Sequence, residues 1–340
     1  MEKLNVAIVG AGLIGEVHAK AYASHGRCAL RWVCDKNLAR ARALARKYGG
    51  RATRSMRALA RDGDLHAASV ATPDFAHREA VTALLAGGKH VLCEKPLATK
   101  PAEARAMVRA ARKRGLSLMV DFQNRWSPLF LEAKKEIDSG RFGEFACGYA
   151  RLSNTLFVPT KMLAWASKTG PEWFLLPHVF DLVRWLADRP PVAEVYAVGR
   201  KKVLKARGID AFDFVQTTVR FRGGASCVFE NAWIMPDSWP TLIDFKMSLQ
   251  GSKGKIELVG DDQGVRIAGR AYRTPFILAD QNAFGKATGF FAEPVLHFAD
   301  RLLAGREPEC PGEDGLAATE VVAAAVRSIR TKRPVKLSGV

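Results

Sequence analysis

The chain has 340 residues, 48% of them hydrophobic, with 52 basic against 34 acidic side chains and a formal net charge of +18. That length favours about two domains, and no apolar run reaches the roughly eighteen residues that a membrane-spanning helix needs. The positive excess is spread over helical patterns (Arg40, Arg42, Arg46, Arg105, Arg109, Arg112, Arg327, Arg330) and no nucleic-acid motif accompanies it, so it reads as solvated helix faces rather than a nucleic-acid surface.

The first strand, Leu4 to Val9, runs into Gly10, Gly12 and Gly15, and Asp35 follows twenty positions after the last glycine. In a strand–turn–helix unit, Gly10 makes the tight turn, Gly12 lets backbone approach a pyrophosphate, and Gly15 lets the helix pack close to the sheet. Leu13 and Ile14 sit at the helix start, where unpaired N–H groups face phosphate. The second strand, Ala29 to Cys34, delivers Asp35 to its end, where a carboxylate can accept both hydroxyls of an adenosine ribose. The plainer alternative is a glycine-rich turn in some other α/β protein. Asp35 predicts NAD, while Lys36 and Arg40 beside it keep NADP use open.

Further strands are expected at Ala67 to Ala71, His90 to Cys93 and Ser117 to Asp121, with helices near 77–86 and 101–114 between them. This alternation is the rhythm of a doubly wound parallel sheet. Beyond about residue 143 it changes. Asp213 to Phe221 and Ala225 to Trp233 alternate around Gly223-Gly224 as an antiparallel hairpin. Other strands are expected at 145–152, 193–200, 245–250 and 254–259, a helix at about 173–187, and two helices in the tail from 288 to 331. The fold class is therefore α/β: a Rossmann sheet followed by an α+β domain with a largely antiparallel open sheet.

Six cysteines (28, 34, 93, 147, 227, 310) are scattered singly and form no Cys-x-x-Cys pair. They read as reduced core residues, with no metal site expected. The chain enters its first strand by Leu4 without a charged, apolar leader, so a cytoplasmic protein is expected.

Strand four ends in Glu94-Lys95-Pro96 and strand three in Ala71-Thr72-Pro73, so both turns emerge at the carboxyl edge where doubly wound sheets bind ligands. With Gly10-x-Gly12-x-x-Gly15, these motifs continue through Ala71-Thr72-Pro73-x-x-x-His77, Arg125 followed by Pro128, and His178-x-x-Asp181. The tail adds Glu293-x-x-x-His297-Phe298-x-Asp300 and Gly312-Glu313-Asp314-Gly315. In this order the set resembles the Gfo/Idh/MocA oxidoreductases, NAD(P)-dependent dehydrogenases of sugars, inositols and related compounds. The resemblance implies a Rossmann domain over 1–122 and a substrate and oligomerisation domain over 123–340, assembled as a homodimer or homotetramer through the open sheet.

It also implies roles. Gly10, Gly12, Leu13, Ile14, Gly15, Asp35, Ala71, Thr72, Pro73, His77, Glu94, Lys95 and Arg125 are expected around the cofactor. Lys95, Gln123, Trp165, Trp173, Phe174, His178 and Asp181 are expected around the substrate. Lys95 is the lysine that contacts the reacting oxygen and moves its proton, and His178 its second polar partner, against the plainer reading of a core histidine on an apolar helix. Trp165 and Trp173 suit either a wall for a sugar ring or core packing. One position departs: many members carry an aspartate four residues before the histidine, and here Phe174 stands there, with Glu172 the nearest acid. The expected reaction interconverts a secondary alcohol and a ketone on a sugar, polyol or sugar acid. A catalytically silent dinucleotide-binding sensor and a reductase of an imine or unsaturated ring are its rivals.

Overall fold

The computed structural model describes residues 3–269, 272–275, 277–283 and 286–338. Their contacts divide the chain into two compact units, 1–126 with 279–319, and 127–278 with 320–340. The chain is thus cut more than once, and not only at 122/123 as the sequence suggests.

In the first unit, β1 (Leu4–Val9), β2 (Cys28–Cys34), β3 (Arg51–Thr53), β4 (Ala67–Val70), β5 (His90–Glu94) and β6 (Leu118–Asp121) form one parallel sheet of order β3-β2-β1-β4-β5-β6. Every residue of β4, β5 and β6 but His90 is buried, as parallel strands covered on both faces require. The helices α1 (Leu13–Ser24), α2 (Leu38–Tyr48), α3 (Met56–Arg61), α4 (His77–Ala86) and α5 (Pro101–Lys113) connect them. The strand order turns back between β1 and β4, the switch point beside which such sheets bind ligands.

The stretch 279–319 joins this unit because its side chains bind α1 and its backbone binds β6. Lys20 pairs with Asp280 at 2.9 Å, His25 with Asp300 at 3.0 Å, and the Val120 N–H donates to the Cys310 carbonyl at 2.9 Å. Nothing local in the sequence marks these partners.

The second unit starts with α6 (Pro128–Asp138) and β7 (Phe145–Asn154), continues through α7 (Pro171–Phe174) and α8 (Leu176–Leu186), and adds β8 (Val192–Arg200), β9 (Phe214–Phe221), β10 (Ser226–Ala232), β11 (Ile243–Gly251) and β12 (Lys255–Val259). The sheet order is β12-β11-β7-β10-β9-β8, closed by a short strand Val335–Lys336; only the β7–β10 pair is parallel. Gly223 and Gly224 have φ of +94° and +99°, left-handed values that favour glycine at the β9–β10 turn. Along β9 burial alternates strictly, with Val215, Thr217, Val219 and Phe221 covered and Gln216, Thr218 and Arg220 exposed. On the covered face Phe180 of α8 meets Phe229 of β10 edge-on at 6.1 Å. The other face leaves Tyr196, Val198 and Val228 exposed.

The helix expected at 173–187 is broken at Leu175. Pro177 has no N–H to donate to the carbonyl of Trp173, so the ladder stops, and the His178 N–H bonds the Leu175 carbonyl instead at 3.1 Å. α6 and β3 were not expected. Of the cysteines, Cys34, Cys93, Cys227 and Cys310 are buried as expected, but Cys147 is exposed and Cys28 half-buried. Among the described residues no helix is long and apolar enough to cross a membrane.

Candidate active site

The dinucleotide cradle follows from three glycines whose missing side chains have different reasons. A Cβ on Gly10, whose φ is +100°, would lie 2.5 Å from the Ala71 carbonyl oxygen, so glycine lets the β1 turn press against the β4 turn. A Cβ on Gly15 would lie 1.8 Å from the Gly10 carbonyl oxygen, so glycine lets α1 pack on the turn itself. At Gly12 a Cβ would meet nothing within 4 Å. That open space lies at the start of α1, where helix N–H groups attract an anion. Leu13 and Ile14 beside it are exposed, at 72% and 36%.

Asp35 closes the cradle. Its Oδ2 accepts the Ala11 N–H at 2.7 Å and its Oδ1 the Asn37 N–H at 2.7 Å. A carboxylate has about four lone-pair sites, so after these bonds about one remains on each oxygen, the number that two ribose hydroxyls require. The cleared phosphate approach and the spare acceptors of Asp35 fit NAD.

The other turns place the remaining candidate residues of this edge. Ala71, Thr72 and Pro73 lie half-exposed after β4, where the Ala71 N–H still bonds the Val9 carbonyl at 2.8 Å. Lys95 is half-buried just beyond β5 and joined to Pro96 by a cis peptide. Burial pushes its amine below the ordinary lysine value, with the carboxylates of Glu94, Asp74 and Asp121 opposing. Gln123, half-buried on the turn after β6, keeps a buried Oε1 with no hydrogen-bond partner among the described residues.

Three residues expected at the cofactor have partners within the fold itself. His77 is 1% exposed, and its two ring nitrogens face the carbonyls of Pro96 at 2.7 Å and Thr72 at 2.9 Å, so it ties the two turns together. Glu94 turns inward to His18. Arg125 is 4% exposed and donates to the Asp314 carboxylate at 2.9 Å, a buried pair spanning 189 residues of sequence. Apart from the Thr72 carbonyl, five residues from His77, these partners were too distant in sequence to be read.

In the second unit, His178 stands in the first turn of α8, 8% exposed, with Asp181 3% exposed one turn on. Phe174 is flanked edge-on by Trp165 at 6.3 Å and by Trp233 at 5.6 Å. Trp233, which no sequence motif singles out, is fully buried, and its Nε1 has no hydrogen-bond partner among the described residues. Trp173 is half-buried at the end of α7. The Glu172 carboxylate is folded over Gly170, where a Cβ would lie 2.2 Å from Oε2.

A parallel sheet with a glycine-cleared helix start and an acid with spare acceptor sites at its switch point, and a lysine of lowered basicity at the same edge, is the arrangement of a nicotinamide-dependent oxidoreductase. Residues 4–122 match the Gfo/Idh/MocA oxidoreductase family's NAD-binding Rossmann domain, and residues 130–257 match its C-terminal domain. The chain belongs to this family, and its cofactor is NAD. It is similar to the inositol 2-dehydrogenase of Rhizobium meliloti (strain 1021), 28% identical over 97% of this chain and 98% of that one. It is similar also to the myo-inositol 2-dehydrogenase of Thermotoga maritima (strain ATCC 43589 / DSM 3109 / JCM 10099 / NBRC 100826 / MSB8), at 26% identity over 99% of both chains. The scyllo-inositol dehydrogenase of Lactobacillus casei, solved with NAD(H) and scyllo-inositol, shares the fold with a TM-score of 0.83 over 98% of this chain and 99% of that one, at 17% identity.

Proposed function

We propose that this protein oxidises a secondary alcohol of a cyclic polyol or sugar to the ketone, and runs the reverse reduction, with Lys95 as the proton-transfer group. The observation that carries this reading is Lys95 itself, a half-buried amine at the carboxyl edge of β5, depressed by burial and next to the cofactor cradle. NAD bound in the cradle supplies the acceptor for the hydride leaving the carbinol carbon. Asp35 holds the ribose hydroxyls and the N-terminus of α1 the phosphates. As the C–H bond gives up its electron pair, the hydroxyl proton passes to the neutral Lys95 amine and the C=O bond forms. In reduction the ammonium returns that proton to the carbonyl oxygen.

His178 is the proposed hydrogen-bonding partner of the substrate, and Gln123 contributes its Oε1, which has no partner among the described residues. The similarity to inositol dehydrogenases supports a ring-shaped polyol, and the aromatic set of Trp165, Phe174 and Trp233 supports a substrate with an apolar ring face. Phe174 in place of an acid supports a substrate with fewer hydroxyls, or an apolar substituent, on that side. The exposed Tyr196, Val198 and Val228 support assembly of copies through the open sheet.

The test is a panel of inositols, glycosides and sugar acids scored for reduction of NAD and NADP at 340 nm, repeated with Lys95→Ala. Turnover on one class, lost by about two to four orders of magnitude in the variant with NAD binding intact, is expected. Near-normal turnover by Lys95→Ala on the best substrate refutes the role.

A further inference from the structure

The first unit encloses a charge cluster that none of the steps above uses. His18 Nε2 lies 3.3 Å from Glu94 Oε1 and 3.2 Å from Asp121 Oδ2, with the three side chains 1%, 12% and 2% exposed. Register explains how the cluster forms: Glu94, the last residue of β5, is the pairing partner of Asp121, the last of β6. α1 brings His18 to both. Ligand spacing alone suits a metal ion. A ligating imidazole, however, normally donates its other ring N–H to an outer acceptor, and His18 Nδ1 has no hydrogen-bond partner among the described residues.

The cluster is better described by its charge. Burial works against an imidazolium, yet the hydrogen bonds and charges of Asp121 and Glu94 prevail and push His18 up to about 9. Burial likewise works against the Glu94 carboxylate, and the His18 hydrogen bond holds it below its ordinary value. Asp121 is raised by burial and by the Glu94 charge. Near neutral pH, two carboxylates and one imidazolium leave a single net negative charge beside Lys95, where little water screens it.

We propose that His18, Glu94 and Asp121 are a built-in counter-charge for Lys95, positioning residues that hold its amine in place and set how readily it takes up a proton during turnover. This rests on the reading of Lys95 as the proton-transfer group. Within the unit the titratable groups around it are Glu94 on β5, Asp74 after β4 and Asp121 on β6. Behind these stand His18 and Tyr22 on α1, His77 on α4, and Cys93 on β5.

The sign of each perturbation follows. Removing the Asp121 charge makes His18 surrender part of its proton, but this compensation is incomplete. The cluster becomes less negative and the Lys95 ammonium less stable. Removing His18 makes the two carboxylates take up part of a proton, again incompletely, so the cluster becomes more negative and the ammonium more stable. Asp121→Asn and His18→Gln therefore move the titration of Lys95 in opposite directions. A cavity or loosened packing has no reason to do so.

The experiment is competitive acetylation of Lys95 against pH in the cofactor-free protein, read by mass spectrometry, in parallel with the pH profile of kcat/KM for alcohol oxidation. Relative to the unmodified chain, the midpoint and the acidic limb are expected about half a pH unit or more lower in Asp121→Asn and about half a unit higher in His18→Gln. Midpoints that stay put, or shift in the same direction, overturn the proposal. Should either variant fail to fold, the His18 imidazole is titrated by NMR in the unmodified chain and in Lys95→Met. By reciprocity, loss of the ammonium must raise the imidazole titration, and an unchanged midpoint also overturns the proposal. Retained turnover in Lys95→Met removes the underlying reading of Lys95. Lost turnover without coupled titration removes only this inference.

Discussion

If Asp35 holds the ribose as proposed, it should decide which dinucleotide the cradle accepts. Each of its oxygens is already engaged by one backbone N–H at 2.7 Å, from Ala11 and from Asn37, and has about one lone pair to offer. Two ribose hydroxyls would take both. A hydrogen bond to a charged group contributes about 1.5–3 kcal/mol, so Asp35→Ala removes about 3 kcal/mol at the low end, or about a hundredfold in NAD affinity. The same change removes the repulsion of a 2′-phosphate and leaves the exposed Lys36 and Arg40 in place. NADP affinity should therefore rise. Asp35→Asn, which keeps one acceptor oxygen but no charge, should fall between the two for NAD. The assay is Kd for NAD and NADP by calorimetry, with a thermal melt to confirm that the Ala11 turn survives. A less than threefold change in NAD affinity for Asp35→Ala, with the fold intact, would refute the assignment of the ribose to this carboxylate.

The glycines separate packing from binding. Gly15→Ala forces a Cβ to 1.8 Å from the Gly10 carbonyl oxygen and should cost about 3 kcal/mol in a denaturant melt. Gly12→Ala, whose Cβ meets nothing, should leave the melt unchanged while weakening NAD binding, seen by calorimetry. Breaking the buried Arg125–Asp314 pair by Arg125→Met should destabilise by about 3–5 kcal/mol, and the Arg125→Met/Asp314→Leu double variant should recover much of that stability. A specific loss of NAD affinity in the stable double variant would return Arg125 to the cofactor. Phe174→Asp sets a carboxylate among Trp165 and Trp233 and should raise turnover of highly hydroxylated polyols relative to less hydroxylated ones. An unaltered substrate profile would reduce the segment to packing.

Local patterns were legible where one element carries its own signal. The strand–glycine–helix unit, the Glu94-Lys95-Pro96 strand end and the β9–β10 hairpin are each written within 19 residues or fewer, and all three stand in the fold. β3 is three residues long, Arg51–Thr53, too short for periodicity to show. The break before α8 was written in Pro177, but the apolar stripe of Val179, Leu182, Val183 and Leu186 beyond it drew attention to one continuous helix. What could not be read were the pairings made by the fold. Asp314 lies 189 residues from Arg125, and Glu94 and Asp121 meet only because β5 and β6 are neighbours in register. Buried polar side chains are satisfied by partners that the topology chooses, so a single sequence shows that His77 or Glu94 matters without showing to what it is tied.

This places two duties on one helix. α1 meets the sheet through Gly15, pressed so closely on the Gly10 carbonyl that no side chain fits, and one turn later it presents His18 to Glu94 and Asp121. The glycine contact that builds the phosphate cradle therefore also fixes the distance between the imidazole and the two carboxylates. A shift of about an ångström in α1 would lengthen those 3.2–3.3 Å contacts beyond hydrogen-bonding range while opening the cradle. Gly15→Ala should thus disturb both at once: with the His18 imidazolium drawn away from the two carboxylates, its Lys95 titration should move up, as in His18→Gln. Gly12→Ala, which leaves α1 where it is, should weaken the dinucleotide and leave that titration alone. If Gly12→Ala moved the titration as far as Gly15→Ala, the link through the helix would be wrong, and the cradle itself would have to reach Lys95 by another route.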